Sequence, residues 1–246
     1  MKLSLVIPAH NEEGCIEETV RAHHDALGHA GIDHEILVVN DCSQDSTETI
    51  LNRLSHEDSC IRYVNNLPPN GFGLAVRKGL NNYTGDIVAI VMADGSDAPE
   101  DVIKFYRKIS EGYDCVFGSR FIRGGGTVDY PKVKLVLNRM ANFFIRVLFA
   151  FKYNDTTNAF KMYKRETIDG LRPFLSPHFN LTVELPLKAI TRGYSYTVLP
   201  NTWRNRTTGK AKLKIREMGS RYLFIVLYCL IEKWLSVGDY RKKLKS

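Results

Sequence analysis

Residues 86–97 read Asp86-Ile-Val-Ala-Ile-Val-Met-Ala-Asp94-Gly95-Ser96-Asp97. The apolar run between Ile87 and Met92 is rich in β-branched side chains, which predicts a short buried strand. Pro99 then opens a helical pattern, as proline does in a first helical turn. A strand that turns directly into a helix is typical of an open α/β sheet, in which ligands bind beyond the carboxyl ends of the strands. We therefore expect Asp94 to lie at the mouth of a binding site.

The end of this predicted strand carries oxygen atoms suited to a hard cation. Asp94, Ser96 and Asp97 bring two carboxylates and a hydroxyl close together, and such ligands suit Mg²⁺ or Mn²⁺. An acidic turn that caps the next helix through Asp97 or Ser96 explains the same residues. This stretch alone does not decide between a metal site and a helix cap.

Strand patterns followed by helical patterns recur along the chain. Besides residues 87–92, apolar runs predict strands at 2–8, 34–40, 61–64, 114–117, 159–163 and 194–199. Helical patterns end near residue 30 and cover about 74–82, 99–112, 132–151, 180–191 and 213–235. The alternation predicts an α/β fold, with a doubly wound, mostly parallel sheet flanked by helices.

Two other turns after predicted strands offer groups for a nucleotide. Asp41 opens a run of Asp, Ser and Thr residues, which either caps the next helix or accepts hydrogen bonds from a ribose or a base. Gly71 and Gly73 stand at the start of a predicted helix, where they either help to hold a phosphate or form a plain loop. The next glycine is Gly79, so the spacing is not that of a dinucleotide fingerprint.

Arginine side chains follow in the second half of the chain. Arg120 comes at the end of the predicted strand 114–117, where its planar guanidinium is placed to reach a phosphate. Arg139 and Arg146 share one face of an apolar helix, directed either toward a phosphate or toward solvent. The glycine run at 124–126 predicts a mobile loop of the kind that closes over substrates.

The net charge of +7 conceals a division of the chain. Residues 1–119 carry 9 Lys and Arg against 19 Asp and Glu, whereas residues 120–246 carry 25 against 8. A basic half of this size indicates an anionic partner, such as nucleic acid, lipid phosphate or a charged membrane surface. The basic residues form no recognition motif with interleaved aromatic residues, so we do not expect nucleic acid to be the partner.

Several features indicate a cytoplasmic protein that visits a membrane. The five cysteines show no paired spacing, which indicates reduced thiols rather than disulfides or a zinc site. No signal peptide is visible, and the longest apolar run, at 222–231, is shorter than the ~18 residues that span a bilayer. The helix predicted at 213–235 is apolar between basic ends, so it either packs on the domain or lies in a membrane interface. We expect a peripheral protein at the cytoplasmic face of a membrane; the sequence does not indicate its oligomeric state.

Six short motifs occur in an order known from one enzyme family. They are Pro8-Ala-His-Asn-Glu12-Glu13, Val39-Asn-Asp41-Cys-Ser43-Gln-Asp45-Ser-Thr47, Met92-Ala-Asp94, Gly118-Ser119-Arg120, Asn138-Arg139-Met-Ala-Asn142 and Arg206-x-x-Gly209-x-Ala-Lys212-Leu213. Together they resemble the dolichol-phosphate mannose synthases, which are inverting nucleotide-sugar glycosyltransferases of the GT-A fold. The resemblance spans about residues 3–213. It implies a GT-A domain over 1–212, with a nucleotide-binding half at 1–119 and an acceptor-binding half at 120–212, followed by a C-terminal apolar helix and basic tail at 213–246.

The resemblance also implies a role for each matching residue. The residues that would bind the nucleotide are Pro8, Ala9, His10, Glu12, Asp41, Gly71 and Ala93. Asp94 would hold Mg²⁺ or Mn²⁺, with Ser96 and Asp97 as helpers. The basic residues that would grip the phosphates of donor and acceptor during catalysis are Arg120, Arg139 and Arg206, with Lys212 assisting. Two positions depart from the family pattern, because the first aspartate of its metal motif is Met92 here and a serine of its basic loop is Ala211.

The function that the resemblance implies is transfer of a sugar from a nucleoside diphosphate to a polyprenyl phosphate, with inversion. A phosphate monoester is largely dianionic at neutral pH, so it needs orientation by cations more than a strong base. A saccharide hydroxyl as acceptor would instead need a carboxylate base, and Asp97, Asp155 or Glu184 would have to serve. Glu184 is better explained as a paired structural carboxylate than as a site acid. A third hypothesis, suggested by Met92, is a binding protein for nucleotide-sugars or lipid phosphates with degraded catalysis.

Overall fold

The computed structural model describes residues 1–205 and 215–242. The strands are β1 (Leu3–Ala9), β2 (His34–Asp41), β3 (Ile61–Asn66), β4 (Ile87–Ile90), β5 (Cys115–Ser119), β6 (Gly126–Val128), β7 (Lys161–Lys164), β8 (Tyr196–Pro200) and β9 (Thr202–Arg204). The helices are α1 (Ile16–His29), α2 (Thr47–Glu57), α3 (Phe72–Asn82), α4 (Pro99–Ser110), α5 (Lys132–Phe149), α6 (Arg165–Gly170), α7 (Leu181–Thr191) and α8 (Ile215–Leu235).

One seven-stranded sheet organises the domain, in the order β3-β2-β1-β4-β7-β5-β8. Every strand of this sheet runs in the same direction except β7, which is antiparallel to both β4 and β5. The predicted doubly wound, mostly parallel sheet is therefore confirmed. The carboxyl ends of β1, β2, β4 and β5 lie at one edge of the sheet, which we call the site edge. A separate two-stranded sheet pairs β6 with β9.

Helices cover both faces of the sheet, and each face has its own apolar core. On one face α1, α2 and α4 contribute buried side chains such as Ile16, Leu51 and Phe105. On the other face α3, α6 and α7 contribute a second cluster that includes Val76 and Leu185. Because the central strands are buried on both faces, their sequences are continuous apolar runs rather than alternating ones.

Helix α4 follows directly from its local sequence. Pro99 occupies the first turn, where its missing N–H costs no hydrogen bond. Acidic residues stand in the first turn and basic residues in the last, which complements the helix dipole. The helix begins immediately after the turn that carries Asp94, so the sheet and α4 hold that turn between them.

The central strand is shorter than its sequence predicts. β4 ends at Ile90, and Val91 N still donates to Val6 O at 3.1 Å. Met92 N instead donates to the Asp97 carboxylate at 2.9 Å. Because a side chain takes this backbone donor, the chain leaves the sheet two residues earlier than predicted and begins its turn.

Three short elements escaped the sequence analysis. They are β6, β9 and α6, of three, three and six residues, too short to show a period. Gly126, which the sequence places in a mobile loop, begins β6 and pairs with Thr202 of β9.

Helix α8 packs against the domain along one of its faces. Ile225 is fully buried in a cluster with Val183 of α7 and Ile145 of α5. Near the end of α8, Glu232 accepts two hydrogen bonds from Arg192, at 2.7 and 2.8 Å. Packing on the domain, one of the two alternatives for this helix, is therefore confirmed for this face.

Across residues 1–205 and 215–242, every helix falls short of the length or the apolarity needed to cross a bilayer.

Candidate active site

The turn after β4 is closed by its own carboxylates. Asp94 Oδ1 accepts from Ser96 N at 3.2 Å, and Asp97 Oδ2 accepts from Met92 N. Gly95 lies between them with a φ of +70°, a conformation that glycine adopts without strain. Ala93 O accepts from the Thr19 hydroxyl of α1 at 3.1 Å, which fixes the turn to that helix. The predicted capping of α4 by Asp97 or Ser96 is wrong, because the cap residue is Ala98 and no side chain caps the helix.

Burial makes this turn electrostatically unusual. Asp97 is buried, and burial raises its pKa to about 7, with the neighbouring Asp94 raising it further and Arg120 opposing the shift. Ser96 is only 3% exposed, and its hydroxyl has no hydrogen-bond partner among the described residues. Its carbonyl accepts from Arg204 N of β9 at 3.3 Å, so β9 crosses the turn. A buried hydroxyl without a partner costs free energy unless a ligand satisfies it.

The donor set of the turn fits a cation only in part. Within the described ranges no cluster of three or more His, Cys, Asp or Glu side chains is placed to hold a metal. Asp94, Ser96 and Asp97 supply oxygen atoms only, and the side chain of Met92 adds none. Mg²⁺ is usually held by one or two carboxylates together with substrate phosphates. The residues present therefore fit a cation shared with a phosphate-bearing ligand, and do not form a complete protein cage.

The loops after β1 and β2 are bonded to each other at the site edge. Pro8 and Ala9 pair in register with the end of β2. The His10 ring Nδ1 lies 2.7 Å from Asp41 O, and Glu12 N donates to the Thr47 hydroxyl at 2.9 Å. The structure thus brings the residues predicted to bind the nucleotide to one place, next to the turn of Asp94.

Asp41 organises the next loop from its buried position. One carboxylate oxygen accepts from Asn66 Nδ2 at 2.7 Å, and the other accepts from Gly71 N at 2.8 Å. Gly71 therefore lies beside Asp41, as the predicted nucleotide site requires.

The start of α3, in contrast, has two of its backbone donors bound within the protein. Gly71 N is bound by Asp41, and Leu74 N donates to Pro177 O at 3.2 Å. A Cβ at Gly71 would lie 2.7 Å from Pro177 O, and one at Gly73 would lie 2.5 Å from Ser176 O. The glycines allow close packing against the loop before α7, which favours the plain-loop alternative, and a phosphate at this helix start stays a prediction.

Arg120 does not extend its fork toward open space. Its Nε and Nη2 donate to the two oxygens of Asp155 at 2.8 and 2.6 Å, and Asp155 is fully buried. Burial alone would lower the pKa of Arg120, but the Asp155 carboxylate outweighs it and raises the pKa. Arg120 is 8% exposed and has an internal partner, and its contact with a phosphate stays a prediction. Sequence analysis missed this pairing, because nothing local links residues 120 and 155.

Arg139 reaches the same neighbourhood from α5. Its guanidinium carbon lies 5.2 Å from the centre of the Phe121 ring, and that of Arg120 lies at the same distance. The two arginines therefore both contact Phe121, and Arg120 is also within electrostatic reach of Asp97. Arg146 is exposed on the outer surface of α5. Arg206 and Lys212 lie outside the described residues.

Two of the three carboxylates considered as a general base form buried ion pairs instead. Asp155 is paired with Arg120. Glu184 is fully buried, lies 2.6 Å from Lys188 Nζ, and accepts from the backbone N–H groups of Leu175 and Ser176. Its interpretation as a paired structural carboxylate is confirmed. Asp97 is the remaining candidate, at the turn itself.

Comparison with known proteins identifies relatives over most of the chain. Polyprenol monophosphomannose synthase of Mycolicibacterium smegmatis is 30% identical over 215 residues, covering 85% of this chain and 80% of the relative. Dolichol-phosphate mannosyltransferase of Pyrococcus furiosus is 29% identical over 218 residues, covering 87% of this chain. This chain spans only 60% of the length of the Pyrococcus protein.

Solved structures share the fold at lower identity. Glucosyl-3-phosphoglycerate synthase from Mycobacterium tuberculosis, in complex with Mn²⁺, UDP-glucose and phosphoglyceric acid, aligns with a TM-score of 0.69 at 20% identity. The alignment covers 94% of this chain and 79% of that one. The same enzyme with Mg²⁺ and UDP aligns with a TM-score of 0.67 at 22% identity, again over 94% of this chain and 79% of that one. The architecture is the GT-A fold, as the sequence predicts.

A family model described as glycosyl transferase family 2 matches residues 4–172. This match covers more than half of the chain and includes the turn of Asp94, the nucleotide-side loops and the Arg120–Asp155 pair. The chain therefore belongs to glycosyl transferase family 2 and is a glycosyltransferase.

Proposed function

We propose that this glycosyltransferase moves a sugar, in the first instance mannose, from a nucleoside diphosphate to a polyprenyl phosphate with inversion. The observation that carries the proposal is the arrangement at the site edge. The carboxylate turn, whose Ser96 hydroxyl has no hydrogen-bond partner among the described residues, lies within electrostatic reach of Arg120, and Arg120 shares the Phe121 ring with Arg139. The names of the Mycolicibacterium and Pyrococcus relatives support mannose and a polyprenyl phosphate.

On the donor side, the proposed nucleotide site comprises Pro8, Ala9, His10, Glu12, Asp41, Gly71 and Ala93. The proposed ligands of Mg²⁺ or Mn²⁺ are Asp94, Ser96 and Asp97, and the solved relatives that bind these ions support such a cation. When bound, the cation neutralises charge on the departing diphosphate. The fixed turn supplies the protein's share of that site without rearrangement, because Thr19 and Met92 already hold it.

On the acceptor side, cationic side chains orient an anionic nucleophile. An oxygen of the lipid phosphate attacks the anomeric carbon, and the bond from that carbon to the diphosphate breaks, so the nucleoside diphosphate leaves with the electron pair. Direct displacement inverts the anomeric centre. We assign the orientation of the acceptor to Arg139 and Arg206, with Lys212 assisting, and place the paired Arg120 at the edge of the same site. A dianionic phosphate needs no general base, which agrees with the ion pairs that hold Asp155 and Glu184.

A membrane surface is the proposed source of the acceptor. The outer faces of α5 and α8 expose large apolar side chains, namely Val133, Val136, Met140, Phe143, Phe144 and Val147 on α5 and Leu223, Phe224, Leu227, Ile231 and Trp234 on α8. We call these two faces the apolar platform. Residues 130–154 contain five Lys and Arg and no Asp or Glu, which suits anionic lipid headgroups. We place the protein peripherally at the cytoplasmic face, and its free cysteines agree with a reducing compartment.

A second candidate function is transfer to a saccharide hydroxyl. It is favoured by Asp97, whose pKa is raised by burial to about 7, the value suited to a general base at neutral pH.

The test is to incubate the protein with radiolabelled nucleotide-sugars, polyprenyl phosphate in anionic vesicles, and soluble oligosaccharides. We expect label in the organic-extractable lipid. Label in water-soluble saccharide alone would replace the proposal with the second candidate. Asp94→Ala should abolish transfer with the fold intact, whereas the control Asp25→Ala, an exposed carboxylate near the far end of α1, should not change it. Binding of nucleotide-sugar with no transfer to either acceptor would favour a binding protein.

A further inference from the structure

We propose that Asn142 is a positioning residue that fixes the positions of Arg139 and Arg120 relative to each other beside the proposed acceptor site. It joins α5, which carries Arg139, to the turn that fixes Arg120. The inference rests on the proposed function and extends it, because it identifies a residue that touches neither substrate and yet sets the geometry of the acceptor site.

Asn142 is a buried polar residue on a helix that is otherwise mostly exposed. It is 2% exposed, and every polar atom of its amide is used. The two hydrogens of Nδ2 are shared among three acceptors, Asn138 Oδ1 at 2.7 Å, Asn138 O at 3.0 Å and the Thr157 hydroxyl at 2.9 Å. Oδ1 accepts from the Thr156 hydroxyl at 2.7 Å and from Thr157 N at 3.3 Å. One side chain thus connects α5 to two consecutive residues of the next turn.

That turn is the support of Arg120. Asp155, immediately before Thr156, accepts from Arg120 N, Nε and Nη2. The Asp155 carbonyl is itself held by the Tyr153 hydroxyl at 2.6 Å, and Arg120 Nη2 lies 3.5 Å from the Thr157 hydroxyl. A continuous chain of hydrogen bonds therefore runs from Asn142 through the turn to the guanidinium of Arg120.

The same residue also fixes the part of α5 that carries Arg139. The buried residues of α5 are Asn142, Ile145 and Phe149, so Asn142 is the first of them along the helix. Arg139 stands three residues before it, within the same helical turn. Residues 132–141 have no buried side chain, and the hydrogen bonds of Asn142 and its partner Asn138 join this half of α5 to Thr157.

This placement predicts an effect confined to the acceptor. Removing the amide lets α5 and the turn shift relative to each other, which changes the distance between the two arginines. Small displacements of orienting groups cost up to about 100-fold in rate. The hydrogen bonds of His10 to Asp41 and of Glu12 to Thr47 join the nucleotide loops after β1 and β2 to each other, so we expect the donor site to keep its geometry.

The experiment compares Asn142→Leu and Asn142→Asp with the wild-type protein in the lipid-transfer assay. Leucine keeps the volume and removes every hydrogen bond, whereas aspartate keeps the oxygen that accepts from Thr156 and Thr157. We expect the KM for polyprenyl phosphate to rise at least about tenfold in Asn142→Leu and less in Asn142→Asp, with the KM for the nucleotide-sugar within twofold of wild type. The matched control is Ser4→Ala, which removes a buried hydroxyl bonded to Glu35 at the opposite edge of the sheet. It should leave both KM values unchanged.

An unchanged acceptor KM in Asn142→Leu would overturn the inference, as would an equal rise in both KM values or the same rise in Ser4→Ala. If Asn142→Leu does not fold, Thr157→Val decides, because it removes one partner of the amide and should raise the acceptor KM by a smaller factor. A wild-type protein that transfers nothing to polyprenyl phosphate would overturn the proposed function, and this inference with it. Transfer by wild type with no acceptor effect in either variant would overturn the inference alone.

Discussion

At the scale of single residues, the ion pair between Arg120 and Asp155 links the stability of the fold to the geometry of the site. Both side chains are buried, and the pair is bidentate. Two buried charges stabilise a fold only weakly as a pair, but removal of one leaves the other uncompensated. The pair therefore fixes the backbone beside the proposed acceptor site, and its loss should lower both stability and activity.

We predict that Arg120→Ala lowers the free energy of unfolding by about 3–5 kcal/mol, because it strands the Asp155 carboxylate in the interior. Denaturant unfolding of the purified protein measures this loss. Replacement of both partners by apolar residues, Arg120→Met with Asp155→Leu, should recover most of it. The exposed Arg53→Ala is the control and should lose far less, since its ion pairs with Glu17 and Glu57 are solvated. A loss in Arg120→Ala no larger than in the control would contradict the buried pairing.

Asp97 supplies a second prediction, on the pH dependence of stability. Its pKa is raised from about 3.9 in the unfolded chain to about 7 in the fold, so the folded state binds the extra proton between these values. Stability contributed by this group is present at low pH and is lost as the pH rises toward 7. We therefore compare Asp97→Asn with wild type in metal-free buffer. The difference in their free energies of unfolding should shift in favour of the variant between pH 4 and pH 7, by at most about 4 kcal/mol. Unfolding curves with a pH-independent difference would contradict it.

At the scale of elements, α5 and α8 combine two roles that the sequence cannot separate. One face of each packs into the domain through residues such as Ile145 and Ile225, and the other face forms the apolar platform. A helix that is apolar on two sides gives the same sequence pattern whether its second side meets protein or lipid. The structure shows that one face of each helix packs on the domain. The membrane proposal concerns the opposite, exposed face, which forms the apolar platform.

We predict that the double substitution Phe143→Ser with Phe144→Ser weakens binding to anionic vesicles at least about tenfold, because two exposed rings can no longer enter the lipid interface. Vesicle flotation or sedimentation measures the bound fraction. Leu67→Ser is the control, since Leu67 is 76% exposed but lies in the loop after β3. Equal binding by the double variant and wild type would contradict the platform's proposed role.

The sequence predicted most elements correctly and erred where a side chain or a distant partner intervened. β4 ends early because Asp97 captures a backbone donor, and no periodicity carries that information. β7 is antiparallel, yet a strand buried on both faces has the same composition in either direction. The glycines at 71 and 73 suggested either a phosphate site or a plain loop, and the neighbour that requires them, the loop before α7, lies about a hundred residues away in sequence.

For the whole molecule, the acidic and basic halves of the chain correspond to the proposed donor and acceptor sides of the site. The acidic first half supplies the Asp94 turn and the loops assigned to the nucleotide, and the basic second half supplies Arg120, Arg139 and the basic surface of α5. Because parallel strands share one carboxyl edge, the sequence predicts that the Asp94 turn and the loops after β1 and β2 lie at the same edge, and the parallel pairing of β1 with β2 and β4 agrees with this. The pairing of Arg120 with Asp155 and the network of Asn142 needed the structure, since both link segments more than ten residues apart.

The most direct test of the central claim compares two acceptors that differ only in the phosphate. Wild-type protein is incubated with a labelled nucleotide-sugar and either polyprenyl phosphate or the corresponding polyprenol, in the same anionic vesicles. We predict organic-extractable label with polyprenyl phosphate and none with polyprenol, because the arginines recognise a dianion rather than an alcohol. Equal labelling of polyprenol, or label only in water-soluble saccharide, would contradict the account.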